Sequence, residues 1–275
     1  MRSLRGTAAE PVNYFERGTG MEQLDGKVAL VIGGSGGIGK AAALALGKAG
    51  ARVIVAARRT EQGSEVAEEI KKNGGTAHFV RTDINELAQV TRAVHTAVEL
   101  HGRLDCAVNV PGITGQPGPL SECTDEAWAQ VLQTNLTSMF WCLRAELRQM
   151  RAQGGGGRIV NISSAIAGRA FSGLGPYGAT KRAVESLTET AALEVAREGI
   201  TVNAIAPGSI ETDTFYGFTN GGDPAIVQAL ADNYHPMGRI GQPDEVGRAV
   251  VYLCSGATFT TGATLPVDGG WVFRS

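Results

Sequence analysis

The sequence predicts a single α/β domain built on a doubly wound parallel sheet with helices on both faces. Three observations point there. Short apolar segments alternate with longer helix-patterned ones along almost the whole chain. The apolar segments lack polar residues on either side, as strands buried on both faces do. Glycine makes up 38 of 275 residues and clusters where strands would turn into helices.

The elements follow in order. Val28–Ile32 is a first buried strand, and Ile38–Lys48, rich in Ala and Leu, is a helix ended by Gly50. Val53–Ala57 is the second strand. Glu61–Lys72 is a polar-faced helix ended by Gly74 and Gly75. His78–Val80 reads as a short third strand, Leu87–Leu100 as a third helix and Leu104–Val110 as a fourth strand. Asp125–Met150 reads as one long helix capped by Thr124. Gly154–Gly157 is a joint before the strand Arg158–Ile162. Alternation continues across it, so it is a loop and not a domain boundary. Tyr177–Arg197 is another long helix and Ile200–Ile205 a strand. Residues 208–242 are loop-rich, with Pro243–Leu253 a helix and Leu265–Val267 a last strand. The domain is therefore placed at 27–275, behind a flexible extension at 1–26 that has no apolar stretch and does not read as a signal peptide.

Composition narrows the functional classes. A formal net charge of −2 offers nothing to nucleic acid or an anionic membrane. The longest purely apolar run, Ala41–Leu46, is far too short to span a bilayer. Cys106, Cys123, Cys142 and Cys254 form no C-x-x-C pair, and no His stands at ligand spacing from them. No metal site is expected, and the thiols suit a reducing, cytoplasmic setting.

The first strand runs into Gly33-Gly34-Ser35-Gly36-Gly37-Ile38-Gly39. Here backbone N–H groups, those of Ser35 and Ile38 included, face a pyrophosphate at a helix N-terminus, where the macrodipole favours anions. Gly34, Gly36 and Gly39 fit G-x-G-x-x-G, while Gly33, Gly37 and Gly39 fit G-x-x-x-G-x-G. Between a buried strand and an Ala-rich helix, such a turn implies a Rossmann-type dinucleotide site. The second strand ends without an acid and is followed by Arg58-Arg59. Two guanidiniums suit a ribose 2′-phosphate, so NADP(H) is expected, through Arg58 chiefly and Arg59 secondarily, with NAD(H) as the alternative.

Tyr177 and Lys181 stand four apart on one helix face. An ammonium beside a phenol lowers its pKa and makes it a usable acid or base. In company with other segments, this pair makes the chain resemble the short-chain dehydrogenase/reductase family from Lys27 to Trp271. Gly33, Gly37 and Gly39 match its cofactor turn, and Asp83, followed by Ile84, its adenine-contacting acid. Asn109-Val110-Pro111-Gly112 stands where the family has Asn-Asn-Ala-Gly. Asn135 matches its helix asparagine, and Ser164 lies thirteen residues before Tyr177, as in the family. Pro207-Gly208, Ile210 and Thr212 match the segment that holds the nicotinamide carboxamide. Arg239–Pro243 and Asp268-Gly269-Gly270 match late segments. Three departures stand out: Ile32 for a usual Thr, Gly36 where many NADP-using members carry a basic residue, and Val110-Pro111 for Asn-Ala.

The resemblance implies an oxidoreductase acting on a ketone or secondary alcohol. Tyr177 would exchange the proton, Lys181 would lower its pKa and hold the nicotinamide ribose, Ser164 would polarise the substrate oxygen and Asn135 would hold a water. The cofactor contacts implied are Gly33, Ser35, Gly37, Ile38, Gly39, Arg58, Arg59, Asp83, Ile84, Asn109, Gly112, Tyr177, Lys181, Pro207, Gly208, Ile210 and Thr212. The substrate pocket is placed at residues around 113–122, 165–175 and 209–235. Ile113, Ile166, Phe171, Leu174, Phe215, Tyr216 and Phe218 make it apolar, with Arg169 the polar exception. That lining suits a medium-sized, partly apolar ketone, with a 3-oxoacyl substrate as a further option. The rival readings are an NAD-dependent alcohol or sugar dehydrogenase and a non-catalytic dinucleotide-sensing module. The apolar surface of the long helices and the resemblance imply a homotetramer whose C-terminal segment lies near another subunit.

Overall fold

The computed structural model describes residues 24–271. The expectation for the extension at 1–26 falls mostly outside them, as does the C-terminal segment beyond Trp271. Leu24 is an exception: it is buried, and its N–H donates to Ala49 O at 2.7 Å. Packing therefore begins upstream of Lys27.

Seven strands form one parallel sheet in the order β3-β2-β1-β4-β5-β6-β7. They are β1 (Val28–Ile32), β2 (Arg52–Ala57), β3 (Thr76–Arg81), β4 (Cys106–Asn109), β5 (Gly157–Ile162), β6 (Ile200–Pro207) and β7 (Thr264–Val267). The helices are α1 (Gly37–Lys48), α2 (Thr60–Lys72), α3 (Leu87–His101), α4 (Asp125–Leu132), α5 (Ser138–Gln153), α6 (Gly175–Val195), α7 (Asp213–Phe218), α8 (Pro224–Tyr234) and α9 (Pro243–Ser255).

Successive strand side chains point to opposite faces, so a strand covered on both sides must be apolar throughout. Ala29, Val31, Val53 and Val55 enter a core shared with α1, α2 and α9. Val28, Leu30, Ile32 and Ile54 enter the opposite core, shared with α3, α5 and α6. The chain winds outward from β1 in one direction as far as β3, then returns to build β4 on the other side of β1. Ligands bind doubly wound sheets at this reversal, in the crevice beyond the strands' C-terminal ends.

Three elements differ from expectation. The helix read over 125–150 is interrupted by a π-helical turn, Gln133–Thr137, between α4 and α5. A π turn adds a residue to the helical repeat without disturbing the apolar pattern on either side, so periodicity does not reveal it. The loop-rich stretch 208–242 contains α7 and α8, both opened by side-chain caps, Thr212 on Phe215 N and Asp223 on Ala225 N. β3 is six residues long, extending to Arg81. Among the described residues, no helix is long and apolar enough to cross a membrane.

Candidate active site

A cleft of about 610 Å³ opens at the C-terminal ends of β1, β4, β5 and β6. One end is the turn between β1 and α1. Gly33 there has φ +86°, a region that favours glycine. A Cβ on Gly39 would stand 2.1 Å from Gly33 O, so the turn closes this tightly only around glycine. The N-terminus of α1 faces the cleft with no acidic residue in its first turn, which leaves its positive end available to an anion.

Arg58 and Arg59 border this end. The Arg59 guanidinium folds over the turn: Nε donates to Ser35 Oγ at 3.3 Å and Nη2 to Ser35 O at 3.4 Å. Arg59 Nη1 also stands 3.8 Å from Asp213 Oδ2 at the start of α7. A Cβ on Gly36 would lie 2.4 Å from Arg59 Nη2, so the guanidinium in this position occupies space that a side chain at 36 would take.

The other end holds Ser164, Tyr177 and Lys181. Tyr177 and Lys181 come from the first two turns of α6, which begins with Gly175 and Pro176. Lys181 is buried, with Nζ donating to Ile162 O at 2.9 Å and Pro111 O at 3.1 Å. Burial lowers its pKa from 10.5 to about 8. Its Nζ lies 5.6 Å from the Tyr177 ring centroid. Tyr177 is hydrogen-bonded to Ser164, which pulls the phenol pKa down, yet burial outweighs this and raises it. The Lys181 ammonium is directed at two carbonyls, and desolvation is the larger influence on the phenol.

Asn135 sits in the π turn, fully buried. Its Oδ1 accepts from Ile113 N at 2.8 Å, and its Nδ2 donates to Ile113 O at 2.8 Å and to Thr180 Oγ1 at 3.2 Å. The amide thus pins the loop after β4 to α6, and its side chain is committed to protein partners. Single π turns within α-helices are frequent at functional sites.

Gly33, Gly37, Ile38, Gly112, Pro207, Gly208, Ile210 and Thr212 line the same cleft. Other expected residues do not. The Asn109 side chain is buried, donating to Glu146 and Asn161. Asp83 Oδ1 accepts from Asn85 N at 3.0 Å in the loop after β3, and Ile84 packs against the core. Ser35 and Gly39 shape the turn without forming the wall.

Between the two ends the wall is apolar, as expected for Ile113, Ile166, Phe171, Leu174, Phe215 and Phe218. Tyr216 is not on it; its hydroxyl is hydrogen-bonded to Glu211. Leu230 falls within the range expected for the pocket, whereas Trp271 lies outside every expected range. The Trp271 ring lies 4.9 Å from Tyr234 and 6.2 Å from Phe171, centroid to centroid. Trp271 is remote in sequence from both, and no periodicity links them.

The glycine turn, the helix terminus free of acidic residues and the volume of the cleft fit a dinucleotide, and a phenol paired with a hydroxyl fits proton exchange with a bound oxygen. Fold and site together define an oxidoreductase acting on CH–OH or C=O groups. The profile of the enoyl-(acyl carrier protein) reductase family matches residues 33–272. A short chain dehydrogenase/reductase, astE, of Aspergillus oryzae is 38% identical, covering 92% of this chain and 98% of its own. The 3-oxoacyl-[acyl-carrier-protein] reductase FabG of Pseudomonas aeruginosa is also 38% identical, covering 90% and 98%. A crystal structure of an actinorhodin polyketide ketoreductase with NADPH superposes with a TM-score of 0.85 at 34% identity, covering 90% and 98%. The chain belongs to the short-chain dehydrogenase/reductase family, whose members use NAD(P).

Proposed function

We propose that the protein reduces an uncharged, partly apolar ketone with NADPH, or oxidises the matching secondary alcohol with NADP+. The observation that carries this reading is one continuous cleft with the glycine turn and two arginines at one end and Ser164, Tyr177 and Lys181 at the other. The nicotinamide supplies or accepts the hydride. Gly33, Gly37, Ile38, Gly112, Pro207, Gly208, Ile210 and Thr212 would hold the dinucleotide along the sheet edge. Ser164 and Tyr177 hydroxyls would grip the substrate oxygen, and Tyr177 would give it a proton during reduction and take one during oxidation. Lys181 would hold the nicotinamide ribose through its ammonium, and Asn135 would keep the loop at Ile113 against α6.

The cofactor choice rests on charge. Arg59 carries its guanidinium to the place over the turn where a basic residue at 36 would bring one, so Gly36 and Arg59 act as a pair. Arg59 therefore takes a larger share than the sequence alone assigned to it. An anionic phosphate here would compete with Asp213 for Arg59. On the substrate side, Lys181 is the one cation among the described residues that line the wall, which favours an uncharged substrate. We also propose a homotetramer. Trp128 on α4, Phe140 on α5 and Leu193 on α6 are exposed apolar side chains on the helices that would meet a second copy. The direct test of function is oxidation of NADPH and NADH in the presence of cyclic, aryl and 3-oxoacyl ketones. Turnover of at least one apolar ketone with NADPH supports the reading, and turnover of none opposes it.

A further inference from the structure

Behind the cleft lies a buried polar cluster that the reaction outlined above does not use. Asn109 and Asn161 are register partners at the ends of β4 and β5. Asn109 Nδ2 donates to Asn161 Oδ1 at 3.0 Å and to Glu146 Oε2 of α5 at 2.9 Å. Asn161 Nδ2 donates to Thr188 Oγ1 of α6 at 2.9 Å, and that hydroxyl donates to Val184 O at 2.8 Å. Glu146, Asn109, Asn161 and Thr188 are all completely buried. The same two strands lead directly into the carbonyls that hold Lys181: Pro111 follows Asn109 by two residues, and Ile162 follows Asn161 by one.

We propose that Glu146 is a positioning residue that fixes the ends of β4 and β5 and, through them, the two carbonyls that hold the Lys181 ammonium. The inference rests on the reading of Lys181 given above. Both protons of Asn109 Nδ2 are already in use, and two acceptors of the cluster, Glu146 Oε1 and Asn109 Oδ1, have no donor. A buried acceptor without a donor is costly, and a buried carboxylate more so. A proton on Glu146 supplies the lacking donor and removes the charge together. Burial raises this carboxyl from 4.5 to about 7, against the lowering pull of Asn109. Few other ionisable groups surround it. Cys142 lies one turn earlier on α5, a buried thiol itself pushed up by desolvation and by Glu146. Among its buried residues α6 carries Lys181 and Glu185, while α3 presents Val90, Ala93, Val94 and Ala97. The strands present Asn109 and Asn161.

Ionisation of Glu146 as pH rises through about 7 places an uncompensated anion in this cluster and loosens the strand ends. The test is the pH profile of ketone reduction by the full-length enzyme, with Glu146→Gln and Glu146→Ala beside it. Gln keeps the acceptor, adds a donor and never ionises. The wild type is expected to show a fall in kcat/KM as pH rises through about 7. Glu146→Gln should match it below that pH and lose that limb. Glu146→Ala should weaken cofactor binding about tenfold, the scale of an unsatisfied buried group. Relative to Glu146→Gln, the cofactor-free wild type should lose melting temperature as pH rises from 4.5 to about 7, because the unfolded chain releases this proton first; the comparison cancels His101, whose lowered pKa acts in the opposite sense. A limb near 7 that survives unchanged in Glu146→Gln overturns the proposal, even if Glu146→Ala fails to fold. Loss of all ketone turnover in the wild type would instead overturn the functional reading, while the melting profile would still report on Glu146.

Discussion

Lys181 is held charged inside the protein, and this should be readable as a dependence of stability on pH. Its pKa is lowered from 10.5 to about 8 by burial alone. Between those values the unfolded chain binds more protons than the folded one, so stability rises with pH through that window. Worked through, the buried charge costs about 3 kcal/mol near pH 7.5 and about 1.4 kcal/mol near pH 9.5. Lys181→Met removes the titration while keeping a side chain of similar length. It also leaves Pro111 O and Ile162 O without the Nζ donor, but that loss is independent of pH and cancels when two pH values are compared. Denaturant unfolding of both proteins, without cofactor, at about pH 7.5 and 9.5 is the assay. The wild type should gain about 2 kcal/mol on the variant over that interval. A difference between the two proteins that is flat with pH would refute the reasoning, showing that the ammonium is not desolvated as its position implies.

Other outcomes follow from the same geometry. Arg59→Ala should weaken NADPH at least about tenfold, the scale of one charge-assisted hydrogen bond to a phosphate, and leave NADH nearly unchanged; titration of both cofactors by fluorescence checks it, and equal losses for the two would count against the Gly36–Arg59 pairing. Sedimentation should give the mass of four chains at micromolar concentration, and a mass equal to one chain would contradict the oligomer.

The strands were legible because a sheet buried on both faces demands apolar residues at every position, and Val28–Ile32 meets that demand without exception. The glycine turn was legible because its close approach, 2.1 Å between Gly33 O and a Cβ at 39, excludes other residues. What escaped depended on contacts between segments distant in sequence. The swing of Arg59 across Gly36 toward Asp213 is set by tertiary geometry. Trp271 reaches the cleft by packing on Tyr234 and Phe171. The π turn at Asn135 leaves the apolar pattern intact. Glu146 did carry a signal: it falls on the stripe of Met139, Cys142, Leu143 and Met150 that α5 buries, and a carboxyl on a buried stripe calls for a partner. Spacing gives the proximity of Lys181 to Tyr177 but not the burial that both share.

The central claim is that Tyr177 exchanges the proton in a hydride-transfer reaction, and Tyr177→Phe tests it most directly. The substitution removes one hydroxyl, keeps the ring between Ser164 and Lys181, and should leave NADPH affinity within about twofold, since it removes no charge. With a ketone that the wild type reduces, single-turnover oxidation of NADPH by the variant should slow by at least about 10²-fold, the lower range of positioned proton transfer. A Tyr177→Phe enzyme that binds NADPH normally and reduces the same ketone at close to the wild-type rate would contradict the account.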